Sequence, residues 1–411
     1  MSTGRGGNCS SLIVSAKGLV DCETGRVKPN PRIVIRGDLI EEIGFNCSPR
    51  ISDDTPVFEF PNSLIAPGLI DGHVHLSLPG DGSEPTERLS DNDVTRFSRA
   101  AVNALSALSV GVTTLRDCGG FGDITTRLRD AIDSGEIPGP RLVVSGTPVT
   151  KTRAHLWYMG GEVDDDEQVI NKTRELVKNG VDFIKLVVNG GGTPGTFANQ
   201  AYLTRSMIKA AVTVARESNL RVTAHVLSRK GIEDAIVAGV DGLEHANNIQ
   251  PDGSLSVCAE LSKYIAASST TVTSTLGVFH HALAHGMSRT DPQEIRRWQN
   301  MLVETMNNLR DLHAHGVPIL FGTDGGWRYT PFNDPVRELQ IMAECGLSNH
   351  SVLQSATTLA ADVLGLGDVI GRLEPGYSAD FLVLNGNPLS DLTSLNRIRA
   401  VFHKGKIVNV S

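Results

Sequence analysis

Between residues 65 and 367, short apolar runs alternate repeatedly with stretches of helical period, and this rhythm constrains the chain more than any other feature. GVTTLRDCGG, RLVVSGTPV, DFIKLVVNGGG, RVTAHVLS, DGLEHANN, TVTSTLGVF and VPILFGTDGG read as strands with polar or Gly-rich ends. Residues 92–109, 164–179, 203–219, 229–238, 292–315 and 334–346 carry amphipathic helical periodicity. About eight strand–helix units over about 300 residues predict an α/β fold, a (β/α)8 TIM-like barrel.

Both ends of the chain have a different texture. SLIVSAKGLVD, RIVIRGDLIEEIG and PVFEFPNSLIAPG near the N-terminus, and ADFLVLNGNP and IRAVFHKGKIVNV near the C-terminus, are strand-like and separated by turn residues. We therefore expect residues 1–64 and 368–411 to form one composite β-sandwich and residues 65–367 to form the barrel. SNHSVLQSATTLAADVLGL reads as a helix or helix pair before the chain returns to the sandwich.

Composition narrows the function. At 411 residues, 40% apolar and 20% charged, the chain can bury a large core, and disorder or coiled coil is a poor reading. A net charge of −8 supplies no basic field for phosphates, which disfavours nucleic acid as a partner. No run approaches the roughly 18 apolar residues of a membrane span. Cys9, Cys22, Cys47, Cys118, Cys258 and Cys345 are scattered with no Cys-x-x-Cys, which points away from disulfides and thiolate metal sites. The first twenty residues lack the long apolar core of a signal peptide. A cytoplasmic protein acting on a small molecule, without a membrane partner, is the expectation.

The chemistry-bearing residues sit at strand ends. PGLIDGHVHL places His73 and His75 two apart, on one side of a strand, where both imidazoles can reach one metal. Lys185 lies inside the apolar DFIKLVVN, where a buried ammonium is costly unless paired or neutralised, carbamylation by carbon dioxide being one route. His225 ends RVTAHVLS, His245 ends DGLEHANN, and Asp324 ends VPILFGTD. Taken singly each admits a bland reading: ordinary strand histidines, a snorkelling lysine, an Asp capping a turn. Together they occupy the C-terminal ends of successive predicted strands, where barrel active sites are built.

In that order, His-x-His, Lys, His, His, Asp, and with PGLID-x-H-x-H, the chain resembles the amidohydrolase superfamily in its dinuclear, carboxylated-lysine branch. Within it, GVTTLRDCGG, AHLWYMGGE and FIKLVVNGGG are similar to the imidazolonepropionase-related group of Xaa-Pro dipeptidases and ochratoxin-hydrolysing amidases. The resemblance implies two divalent cations: His73, His75 and Asp324 on the more buried, His225 and His245 on the more exposed, carboxylated Lys185 bridging both. Nitrogen and oxygen ligands suit zinc first, with manganese, cobalt and iron as alternatives. It implies a metal-bridging hydroxide nucleophile, Asp324 as the catalytic proton carrier, and homo-oligomers, as in many relatives.

Two departures bear on the substrate. Deaminase branches place Glu three residues after the His that is here His225; Ser228 stands there, which favours hydrolysis of an amide-type C–N bond in an N-acyl amino acid or peptide-like molecule. The dipeptidases often carry Tyr where Leu227 stands, which brings in carbamates, ureas and cyclic amides, xenobiotics included. Phosphotriester or lactone hydrolysis uses the same metals. His155 follows the third strand, where this group presents a substrate-facing, catalytic histidine. Arg153, Arg229 and Arg328 lie in top-face loops and are candidates for a substrate carboxylate. A non-catalytic relative would have lost metal ligands, and all six are present. His313 and His315 read as a helix end stopped by Gly316; His280, His281 and His285 as a solvated loop by default, with the pocket rim as the alternative; NGGGTPG, without Gly-Lys-Ser/Thr, as a loop that lets backbone approach substrate.

Overall fold

The computed structural model describes residues 11–45, 55–286 and 292–408. β1 (Ser11–Asp21), β2 (Arg26–Pro29), β3 (Pro31–Arg36), β4 (Leu39–Phe45) and β5 (Val57–Pro67) open the chain. β6 (Leu69–Val74), β7 (Val112–Asp117), β8 (Arg141–Val144), β9 (Val149–Lys151), β10 (Glu162–Val163), β11 (Phe183–Val187), β12 (Arg221–Ser228), β13 (Gly242–Ile249), β14 (Thr271–Ser274) and β15 (Ile319–Phe321) follow. β16 (Phe381–Leu384), β17 (Ile398–His403) and β18 (Lys406–Val408) end it.

Strands from the two ends form one sheet in the order β18-β17-β16-β5-β1-β3-β4, with β2 on β1. The chain ends meet at the β16–β5 pair, where Phe381 faces Pro67 and Leu384 faces Leu64 in antiparallel register. The sheet folds back on itself: Leu39 bridges Ser378, and the Ile40 amide donates to the Tyr377 carbonyl. Inside lies a core of Val14, Ile33, Ile35, Ile65, Phe381 and Phe402, the two rings stacked at 4.4 Å. Alternate residues of β1 and β3 supply it, as the period of a strand requires.

The barrel strands β6, β7 and β11 are buried at every position, the mark of parallel strands covered on both faces. β11, β12, β13, β14 and β15 pair in parallel in that order, and β7 pairs in parallel with β8. One seam closes where Val74 bridges Gly325 and the Asp324 amide donates to the His73 carbonyl. The other closes where the Asp182 amide donates to the Val144 carbonyl. The third strand is split: Gly146, at φ +62°, and Pro148 interrupt RLVVSGTPV, so β8 pairs with β7 and β9 with β11. This is a (β/α)8 barrel.

The helices fall where periodicity puts them: Asp93–Ser109, Asp166–Lys178, Arg205–Glu217, Arg229–Ala238, Pro292–Ala314 and Pro335–Glu344. Two more, Ile124–Asp133 and Ala259–Ala267, are short and were not legible as periodic stretches. LGVF, expected to continue a strand, instead opens the helix Gly277–His281. Gly316, at φ +82°, terminates the helix holding His313 as expected. No described helix is long and apolar enough to cross a membrane.

The chain divides into two compact units, Met1–Ile70 with Leu108–Thr113 and Asn349–Ser411, and Asp71–Ala107 with Thr114–Ser348. The first unit takes in Asn349–Ser355 and Thr358–Leu364, a helix pair that the sequence boundary at 367 had placed with the barrel. Hydrogen bonds explain the difference: His350 Nε2 reaches the Cys22 carbonyl at 2.9 Å, and the Ile70 amide donates to the Ala356 carbonyl at 2.8 Å.

Candidate metal centre

His73 and Lys185 lie within β6 and β11, His225 and His245 within β12 and β13, and His75 and Asp324 just beyond β6 and β15. All are buried or nearly so, Lys185 at 1% exposure and Asp324 at 7%. They face one cavity of about 1380 Å³, which also exposes His155, Leu227 and Arg328. Neighbouring imidazole centroids stand 5.4 Å (His73–His75), 5.1 Å (His73–His245) and 4.8 Å (His225–His245) apart.

Each imidazole has one nitrogen committed to the protein. His75 Nδ1 donates to the Gly119 carbonyl at 2.8 Å, and His225 Nε2 to the Gly190 carbonyl at 3.1 Å. His73 Nδ1 lies 2.7 Å from Glu244 Oε2, and His245 Nδ1 lies 2.6 Å from Thr275 Oγ1. A nitrogen that donates N–H to a carbonyl or carboxylate fixes the tautomer and leaves the other lone pair free, the usual support for a ligating histidine. His73 Nε2 is buried with no hydrogen-bond partner. Asp324 Oδ1 lies 3.6 Å from that atom and 3.5 Å from His75 Nε2, too far for good hydrogen bonds. Donors each about 2.1 Å from a tetrahedral ion stand roughly 3.4 Å from one another, so this spacing fits a shared cation. His73, His245 and Asp324 offer ligand atoms that lie within 4.8 Å of one another.

The electrostatics agree. Burial pulls the His75 imidazole down to about 4 and His225 to about 3, and drives His73, His155 and His245 the same way. Neutral imidazoles are ligands, not ion-pair donors. Burial pushes the Asp324 carboxyl up to about 7, with Glu244, Asp71 and Glu338 adding to the effect and Lys185 opposing it. A carboxylate so placed calls for positive charge beside it.

A supporting layer that the sequence does not announce holds these candidate ligands. Glu244, fully buried, takes His73 Nδ1, the Arg116 guanidinium at 2.8 Å and the Thr223 hydroxyl. Arg116 also donates to the Gly72 carbonyl at 2.5 Å and to Thr273 Oγ1 at 3.2 Å. The charges of Arg116 and then Lys185, with the hydrogen bond from His73, hold the Glu244 carboxyl well below its ordinary range despite burial. Cys118 joins His73 and Glu244 in a second close group of ligand-type atoms. Burial pushes that thiol up to about 12, so it stays neutral, and we read the group as support, not as a ligand set. Asp71 accepts from the His73 and Thr323 amides, each at 3.0 Å, fixing the turn that carries Asp324. One signal for this layer was available: Arg116, Glu244 and Asp71 are ionisable residues inside apolar strands.

His155 is buried beside the ligands, its ring 4.8 Å from His225 and 5.3 Å from Trp327, with Nδ1 2.7 Å from Thr193 Oγ1. The glycine loop makes this packing feasible, because a Cβ on Gly191 would stand 2.7 Å from the imidazole. Arg328 lines the cavity with its charge engaged by Glu84 at 3.2 Å and the Gly192 carbonyl at 3.1 Å. Arg153 and Arg229 are a different case. Both are exposed and absent from the cavity lining, Arg153 with its amide on Glu162 and Arg229 paired with Glu233 at 2.8 Å. Ser228 caps the helix Arg229–Ala238 by accepting from the Gly231 amide, which leaves no acid at that position. His280, His281 and His285 lie outside the cavity lining.

The whole barrel and the C-terminal strands of the terminal sheet match the amidohydrolase family, over residues 64–408. The ochratoxinase of Aspergillus niger is 26% identical over 375 residues, 84% of this chain and 74% of that protein. The imidazolonepropionase of Shewanella piezotolerans is 24% identical over 372 residues, 82% of each. A solved Xaa-Pro dipeptidase with methionine in its active site superposes with a TM-score of 0.86 at 25% identity, covering 97% of this chain and 100% of that one. With these candidate ligands facing one cavity, the matches give the conclusion that the chain belongs to the amidohydrolase family, as an enzyme that hydrolyses C–N bonds.

Proposed function

We propose that this protein is a metal-dependent hydrolase that cleaves an amide-type C–N bond in an N-acyl amino acid or peptide-like small molecule. The observation that carries the reading is the set of four imidazoles, each with one nitrogen tied to the protein and the other spare, facing a single cavity with Lys185 and Asp324. His73, His75 and Asp324 would hold one cation, His225 and His245 a second, with Lys185 carboxylated between them and zinc the first candidate. Glu244 is hydrogen-bonded to His73 and Arg116, and among the described residues no carboxylate lies within ion-pair distance of Lys185. Carboxylation removes the buried positive charge and supplies two ligand oxygens. Bound cations supply Lewis acidity, which lowers the pKa of water and polarises a carbonyl.

The chain's own groups do the rest. Asp324, whose carboxyl burial brings close to neutrality, accepts a proton from the attacking water and delivers it to the leaving nitrogen. His155, held neutral, is placed to donate a hydrogen bond to a substrate oxygen. Ser228, which has no acid function, leaves ring-nitrogen protonation without an agent, so deamination is disfavoured. The buried Leu227 side chain in the cavity wall favours a second class, carbamates, ureas or cyclic amides with little polarity near the scissile bond.

The test is metal analysis of purified protein together with a hydrolysis panel of N-acyl amino acids, dipeptides, carbamates, ureas and lactams. Close to two cations per chain and turnover of one amide-type class are expected. Lys185→Ala should abolish both dinuclear binding and turnover. Full metal content and activity in that variant would remove the bridging role.

A further inference from the structure

The cavity is larger than the roughly 300–1,000 Å³ usual for a small-molecule site, at about 1380 Å³, and its outer wall has a composition that the hydrolytic centre does not require. Aromatic side chains are grouped along the cavity. Phe279 and Trp298 pair at 5.7 Å, Trp327 stands against His155, and Phe197 is 63% exposed. A phenyl ring left this exposed on a cavity rim is a loss unless something flat covers it.

The second feature is charge. Arg296 and Arg297, in the first turns of the helix Pro292–Ala314, both line the cavity. Among the described residues neither has an ion-pair partner, whereas Arg328, the other cavity arginine, is held by Glu84 and Gly192. Glu304, the acid of the same helix that lines the cavity, lies seven residues beyond Arg297. At 1.5 Å per residue that is roughly 10 Å along the axis, so the two cations keep their own end of the wall. Asp252 lies on a different segment of the rim.

We propose that Arg296 and Arg297 select substrates whose acyl part is a bulky, flat aromatic body carrying an anionic group at the end remote from the scissile bond. This rests on the amide-hydrolase reading and adds the substrate class to it. The aromatic body lies against Phe279, Trp298 and Phe197, where its burial supplies most of the affinity and the two guanidinium groups read the charge. Arginine suits that role, because its planar fork pairs with carboxylates and stacks on rings.

Two measurements on the zinc-loaded full chain test this. In the first, kcat/KM is compared for N-(6-carboxy-2-naphthoyl)-alanine and its 6-carbamoyl analogue. Wild type should prefer the carboxylate at least tenfold, chiefly through KM, with the preference shrinking as salt rises. In Arg296→Gln/Arg297→Gln the ratio should fall towards one. A wild-type ratio near one, or an unchanged ratio in the variant, overturns the proposal. In the second, binding of 2,6-naphthalenedicarboxylate is followed by quenching of tryptophan fluorescence. The double variant should bind at least tenfold more weakly, and equal affinity overturns the proposal. Charge-dependent binding without turnover of either amide overturns the amide reading alone and leaves the anion-selective wall standing.

Discussion

Replacing Glu244 by Gln should damage the protein in two separable ways. Glu244 is 0% exposed and shared between His73, Arg116 and Thr223. Removing its charge leaves the Arg116 guanidinium buried without a counter-ion, and breaking a buried pair from one side costs about 3–5 kcal/mol. The variant also weakens the hydrogen bond that fixes the His73 tautomer, and losing such a partner lowers metal affinity roughly 10–100-fold. Urea unfolding of the metal-free chain reads the first effect, and zinc competition against a chromogenic chelator reads the second. Adding Arg116→Met to Glu244→Gln removes the stranded charge, so most of the stability should return while zinc affinity stays low. If Glu244→Gln unfolds like wild type and binds zinc as tightly, the bridging argument fails. If the double variant regains zinc affinity along with stability, Glu244 was acting through the fold and not through His73.

Other perturbations read other parts of the site. Burial pushes the Glu338 carboxyl up to about 7 from an ordinary 4.5. Between those values the unfolded chain has released this proton and the folded chain still holds it, so stability falls as pH rises, by about 3 kcal/mol across the window. Glu338→Gln should lose less stability than wild type between pH 4.5 and 7.5 in urea unfolding, and an equal loss would reject the linkage. Gly191→Ala brings a Cβ to 2.7 Å from the His155 ring; turnover should drop roughly 10–100-fold, as for a displacement of about 1 Å at a reacting centre, with little change in melting temperature. Asp324→Asn should keep the circular-dichroism spectrum of wild type yet lose at least roughly 100-fold in kcat, because a carboxamide cannot carry the proton.

What the sequence reveals about this site depends on how far apart the contributing residues act. The fold and the six ligand candidates are legible because each signal is local. Strand endings are marked by glycine and polar residues, His73 and His75 stand two apart across the end of β6, and His225 and His245 are separated by one helix and its loops. The rule that singles out Lys185, an ionisable side chain inside an apolar strand, applies equally to Arg116 in VTTLRD and Glu244 in GLEH. It cannot say that these two meet, because they are 128 residues apart and face each other only when the ring of strands closes. The backbone at His245 is a further case. His245, Ala246 and Asn248 adopt φ of +70°, +48° and +53°, an irregularity without glycine that a regular β-strand pattern cannot foretell. Such strain persists where surrounding structure over-determines it, here through Thr275 on His245 Nδ1 and Asn308 on the Ala246 carbonyl. Arg153 and Arg229 stay out of the cavity lining for a different reason. Arg153 lies in a turn and Arg229 opens the helix Arg229–Ala238, and each is directed by its neighbours, Arg153 with its amide on Glu162 and Arg229 with its side chain paired to Glu233. Arg296 and Arg297, carried on a helix whose period was plain, reach the cavity instead. Periodicity places the elements, whereas pairs that depend on barrel closure, and the direction of a side chain at an element's end or in a turn, require the folded chain.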